Sequence, residues 1–169
     1  RELMRNLSVK SKPEGGALAL VLDRWISNVQ TDTAAKTGLD MDSAEFEASV
    51  ERRIMAVVRS MQDLVHGFDF ARLLTLYYRA FTEGDDERKG KVLKWFRGEY
   101  ATKREARQEL GVTVVVSDDD WYDYLKLLAF FFRQAGYQGL MVFVDELVNI
   151  YKIPNSISRQ YNYEKMLTM

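Results

Sequence analysis

Two adjacent carboxylates, Asp145 and Glu146, directly follow an unbroken apolar run of Leu140, Met141, Val142, Phe143 and Val144. Apolar residues without alternation suit a strand buried on both faces, as in a parallel sheet, and ligands of open α/β sheets sit beyond the carboxyl ends of such strands. An acid at that point can hold a magnesium ion, directly or through water, beside nucleotide phosphates. Its neighbour can orient and polarise an attacking water. The junction therefore reads as a candidate Walker B motif. It also has a purely structural reading, in which Asp145 N-caps a helix containing Glu146, Leu147, Val148, Ile150 and Tyr151, with Glu146 favoured by the helix dipole. The two readings are compatible.

A Walker A loop, G-x-x-x-x-G-K-[ST], would supply the amides and the lysine that cradle the phosphates. The nearest match contains Gly84, Gly90 and Lys91. It has one intervening residue too many, carries Val92 where the magnesium-binding hydroxyl belongs, and lies in a charged helical context, so it is rejected. Arg159, beyond Pro154, has the chemistry of an arginine finger, but an exposed helix arginine accounts for it as well. Asn149 falls one helical turn past Asp145 and reads equally as a surface residue. His66 is the only histidine, which leaves a histidine metal cluster or a Ser-His-Asp triad without material. The triplet of Asp118, Asp119 and Asp120 lacks EF-hand spacing and is assigned to helix capping. Arg88, Lys89, Lys91, Lys94, Arg97, Lys103, Arg104 and Arg107, with Trp95, Phe96 and Tyr100 among them, form a mixture that can bind nucleic acid. The interspersed Asp85, Asp86, Glu87, Glu99, Glu105 and Glu109 favour a salt-bridged helical face instead.

The elements that must position these groups are mostly helical. Leu3, Met4 and Leu7 form a short helical face ended by Pro13, Gly15 and Gly16. Leu18, Leu22, Trp25 and Val29 recur at helical spacing, and residues 31–42 read as a loop. Ser43 is placed to N-cap a helix with the stripe Phe46, Val50, Ile54, Val57 and Met61. After the break at His66 and Gly67, Asp69 opens a helix containing Leu73, Leu76, Tyr77, Ala80 and Phe81, and Gly84 closes it. Two short helices follow up to Leu110, divided near residues 98–102. Residues 112–116, four of them valine, read as a strand. A helix follows with one face of Trp121, Leu125, Leu128 and Phe132 and another of Tyr124, Leu127 and Phe131, stopped by Gly136 and Gly139. Phe130, Phe131 and Phe132 point around that helix and are assigned to the core. Strand, helix and strand in this order make a βαβ unit with a right-handed crossover.

Composition narrows the classes further. At 169 residues with 47% hydrophobic and 29% charged residues, the chain is long enough to bury a core and is neither disordered nor low-complexity. Its 24 basic and 25 acidic side chains give a net charge of −1, so any contact with nucleic acid or an anionic membrane must be local. Without cysteine there are no disulfides, thiolate metal sites or cysteine nucleophiles. No apolar run approaches the roughly eighteen residues of a membrane span, and residues 1–10 lack a signal-peptide pattern, which leads to the expectation of a cytoplasmic protein. The start at Arg1 without an initiator Met, together with the end at Met169 in a helical pattern, reads as a piece of a longer chain.

The segment Gly136-Tyr137-Gln138-Gly139-Leu140-Met141-Val142-Phe143-Val144-Asp145-Glu146-Leu147-Val148-Asn149-Ile150-Tyr151-Lys152 closely resembles a family of large bacterial P-loop ATPases encoded in BREX-type phage-defence clusters. So do Arg1-Glu2-Leu3-Met4-Arg5-Asn6-Leu7, Trp121-Tyr122-Asp123-Tyr124-Leu125-Lys126-Leu127, Ser158-Arg159-Gln160 and Asn162-Tyr163-Glu164-Lys165. The resemblance covers nearly all of the chain. It implies a Walker A loop upstream of Arg1, a polar sensor strand beyond Met169, Asp145 as the magnesium-associated acid and Glu146 as the catalytic glutamate. ATP and Mg2+ are then the cofactors of the full-length protein, neither held tightly by this chain alone, which is expected to be inactive.

The fold expected is mainly α with a small β component: a helical region over 1–110, then a partial βαβ unit of a P-loop NTPase over 111–169 that carries the Walker B strand. Residues 140–144 are expected to pair with residues 112–116, to pair with a second copy of the chain, or to refold as helix, because an exposed apolar edge invites association. The expected partners are the remainder of the ATPase module and a homo-oligomeric copy, with DNA a further candidate and no membrane. The rival reading is a non-catalytic helical module that holds protein or DNA partners.

Overall fold

The computed structural model describes residues 2–117, 120–144 and 147–167. Its helices are α1 (Glu2–Arg5), α2 (Leu18–Thr37), α3 (Ala44–Met61), α4 (Gly67–Glu83), α5 (Asp86–Phe96), α6 (Lys103–Leu110), α7 (Trp121–Gln134) and α8 (Ser156–Leu167), with a 3-10 segment at Leu147–Lys152. Arg1–Gly139 and Leu140–Met169 form separate compact units. No described helix is long and apolar enough to cross a membrane.

Side-chain caps explain where α3, α5 and α6 begin. Ser43 accepts the amide of Phe46 at 3.2 Å, Asp85 that of Arg88 at 2.8 Å and Thr102 that of Glu105 at 3.2 Å, each meeting a first-turn donor that the helix cannot satisfy itself. α2 runs to Thr37, through much of the expected loop at 31–42. Nothing before Gly38 breaks it, and Thr33 and Thr37 turn their hydroxyls back onto the carbonyls four residues earlier. Thr33 is fully buried and accepts a hydrogen bond from the Arg53 guanidinium at 3.0 Å, which ties α2 to α3. On α3 the buried stripe ends Ile54, Val58 and Met61, with Val58 in the place expected for Val57.

The tight turn into α4 is set by backbone rather than by side-chain capping. His66 adopts a left-handed conformation with φ of 59°, and α4 starts at Gly67, two residues before the expected Asp69. A Cβ on Gly67 would lie 1.8 Å from the carbonyl oxygen of Met61, so only glycine fits there.

The core of the first unit is aromatic. Trp25 of α2 meets Phe131 of α7 edge-on at 5.1 Å, and Phe70 of α4 contacts both Phe131 at 6.3 Å and Phe96 of α5 at 5.0 Å. Edge-to-face geometry suits the ring quadrupoles, and each ring removes a large apolar area from water. Tyr77 donates to Asp23 at 2.7 Å, and Lys89 lies 3.3 Å from the same carboxylate. The ring's burial and this hydrogen bond push the Tyr77 phenol far above its ordinary value, so it stays a donor.

The β component differs from expectation. Among the described residues the one β pairing is an isolated antiparallel bridge between Val9 and Lys12, and residues 112–116 and 140–144 are irregular. Among the described residues the βαβ unit is therefore not formed, and residues 140–144 have not refolded as helix either. β-branched composition expresses fitness for a pleated surface, and without a neighbouring strand it cannot create a ladder. Residues 112–116 are held by other means: Val112 is buried, and the Trp95 indole donates to the carbonyl of Val114 at 2.7 Å.

Candidate functional site

Asp145 and Glu146 lie outside the described residues. The chain on either side of them is described. Before them, Met141 is 76% and Phe143 86% exposed, which is unusual for side chains of this apolarity. After them comes the 3-10 segment Leu147–Lys152, which contains Asn149, followed by α8. Asn155 begins α8 by accepting the amide of Ser158 at 3.0 Å. The guanidinium of Arg159 donates to the carbonyl of Ile153 at 2.9 Å, so this arginine braces the turn at Pro154. No group of three or more His, Cys, Asp or Glu among the described residues could hold a metal ion.

His66 stands at the N-terminal end of α4. Its ring stacks on Tyr124 at 5.0 Å, and Nε2 is 3.4 Å from Asp120, which also accepts the Ser117 hydroxyl at 2.6 Å. Asp120 stands at the N-terminus of α7; Asp118 and Asp119 are outside the described residues. An open groove of about 360 Å³ between α3 and α4 is lined by Glu47, Glu51, Tyr78, Arg79, Thr82 and Glu83. Its carboxylates and its lack of a glycine-rich backbone make it a poor cradle for phosphate.

The basic segment that the sequence leaves ambiguous is sorted by ion pairing. Lys89 pairs with Asp23, Lys91 with Glu87, and Arg88 with Glu83 and Asp85. Lys94 of α5 reaches across to α6, 2.6 Å from Glu105 and 3.9 Å from Glu109. The hydrogen bond between them draws the Glu105 carboxyl below its ordinary range and the Lys94 ammonium above its own. Tyr100 donates to Glu109 at 2.6 Å, and Trp95, Phe96 and Tyr100 are all buried. Lys91 and Lys94, two members of that basic mixture, are thus committed within the protein.

The sequence model of the family described as BREX system ATP-binding protein BrxC/D matches residues 1–169, the whole chain. The chain belongs to that family. No curated protein and no solved structure matches it. Membership agrees with the resemblance carried by residues 136–152 and associates the chain with ATP binding in phage defence. Membership points to ATP use by the full-length protein. The chemistry of Asp145 and Glu146 suits Mg2+, a hard cation that takes oxygen ligands and usually binds through one or two carboxylates plus substrate phosphates. The described residues supply no phosphate loop of their own.

Proposed function

We propose that this chain supplies the Walker B acids of a BREX ATPase, as an internal part of the full-length protein. In this reading residues 1–110 form a helical region and residues 111–169 belong to the ATPase core. Asp145 would hold Mg2+ through a carboxylate oxygen, directly or through water, and Glu146 would orient the attacking water and take its proton as that water's oxygen bonds the γ-phosphorus and ADP leaves. Bound Mg2+ would neutralise charge on the phosphates. The lysine loop comes from upstream of Arg1, so the 169-residue chain binds ATP weakly and does not turn it over. The protein works in the cytoplasm alongside the rest of its ATPase module and in contact with further copies.

The observation that supports this reading most is the run Leu140 to Val144 leading into Asp145 and Glu146, within a chain that belongs to an ATP-binding family. The exposure of Met141 and Phe143 agrees with it, since such residues need a partner surface to leave water. The test is a longer protein that includes the upstream region. Glu146→Gln should abolish turnover while sparing ATP binding, and Asp145→Asn should weaken the Mg2+ dependence of binding. Turnover by Glu146→Gln equal to that of the wild type would overturn the assignment.

A further inference from the structure

α6 divides its residues among three directions. Ala106 and Leu110 are buried, while Glu105 and Glu109 face Lys94 and Tyr100. Lys103, Arg104, Arg107 and Gln108 are exposed, and their spacing of i, i+1, i+4 and i+5 puts them on one helix face with no acid among them. Among the described residues, none of the three cations has a carboxylate within ion-pair distance. The row is extended from another helix. Arg72 of α4, also exposed and without an ion pair among the described residues, places Nη2 2.8 Å from where a Cβ on Gly111 would stand, at the C-terminal end of α6. The helix dipole favours Arg72 there, but it disfavours Lys103 and Arg104 in the first turn, so helix stability does not account for them.

We infer that the face formed by Lys103, Arg104, Arg107 and Arg72 binds the phosphate backbone of double-stranded DNA without reading its sequence. From residue 103 to residue 111 the row is about 12 Å long at ~1.5 Å per residue. A DNA strand offers a phosphate about every 3.4 Å of its axis, so the row faces three or four of them. A single strand is the poorer fit. Single-strand binders need aromatic platforms for stacking, and Trp95, Phe96 and Tyr100 are 1%, 6% and 4% exposed. Backbone contact needs none.

The test is fluorescence anisotropy of a labelled mixed-sequence duplex with the 169-residue chain over a range of salt concentrations, in the absence of ATP, so that its outcome is independent of the Walker B reading. Binding should weaken with salt with a log–log slope of about −3.6, each of the four cations neutralising one phosphate and contributing about 0.9. The triple variant Lys103→Gln, Arg104→Gln, Arg107→Gln should reduce that slope by about 2.7, and Arg72→Gln alone by about 0.9. Lys91→Gln, whose ammonium is held by Glu87, should leave it unchanged. The changed side chains are exposed, and far-UV circular dichroism confirms the fold of each variant. Absence of duplex binding at about 50 mM salt, or a slope unaltered in the triple variant, overturns the inference. So does equal affinity for a single strand, or for polyglutamate of the same charge, the latter pointing to an acidic protein partner instead.

Discussion

Replacing glycine by alanine should have opposite effects at two helical positions of this protein. Helix propensity alone favours alanine by up to about 1 kcal/mol at either site. At Gly90, on the exposed side of α5, a Cβ would meet nothing within 4 Å, so Gly90→Ala should stabilise by about 0.5–1 kcal/mol. At Gly67 the same Cβ would lie 1.8 Å from the Met61 carbonyl oxygen and 2.8 Å from its carbon. Both are backbone atoms of a turn that follows a fully buried side chain, so neither can swing aside. Relief requires moving Met61 or the start of α4 by more than 1 Å, and shifts of that kind cost about 1–3 kcal/mol, which outweighs the gain in propensity. Gly67→Ala should therefore destabilise by roughly 1–2 kcal/mol. Urea unfolding followed by far-UV circular dichroism measures both. A Gly67→Ala midpoint at or above that of the wild type would refute the steric argument.

Phe131→Ala should destabilise by about 3–5 kcal/mol in guanidinium unfolding, because it removes a 1%-exposed ring that contacts both Trp25 and Phe70. Thr33→Val keeps the shape but deprives Arg53 of one acceptor; with Asp32 still 2.6 Å from the guanidinium, the loss in urea unfolding should be about 1 kcal/mol. The Glu105 carboxyl, lowered from an ordinary 4.5 by Lys94, contributes stability that is present above that value and lost as pH falls through the folded one. Wild type should accordingly lose more stability than Glu105→Gln when titrated from about pH 5 to pH 3, and parallel curves would contradict the pairing.

Caps and stripes were legible because each depends on residues within one or two turns of one another. Ser43 with Phe46, the break at His66 and Gly67, and the division of α5 from α6 near residues 98–102 all belong to this kind. Residues 31–37 read as a loop because their side chains are mostly polar, and the helix they form meets α3 through polar contacts of Asp32 and Thr33 with Arg53. The family, too, was readable from residues 136–152, and the whole-chain match to the BREX ATP-binding family agrees with it. The site acids, Asp145 and Glu146, lie outside the described residues.

Local order of residue types thus determined the helices, their ends and the kinship of this chain. Tertiary structure alone decided two further matters. Residues 112–116 and 140–144 have strand-like composition but no ladder among the described residues, because a strand is defined by hydrogen bonds to a neighbour that its own sequence does not contain. Among the mixed charges between Asp85 and Glu109, Lys89 found Asp23 only when α5 met α2, and Lys94 found its acids only when α5 packed against α6. Lys94 took Glu105 and Glu109 out of the basic row, and Arg72 entered it from a helix more than thirty residues away, since charges interact through space rather than along the chain.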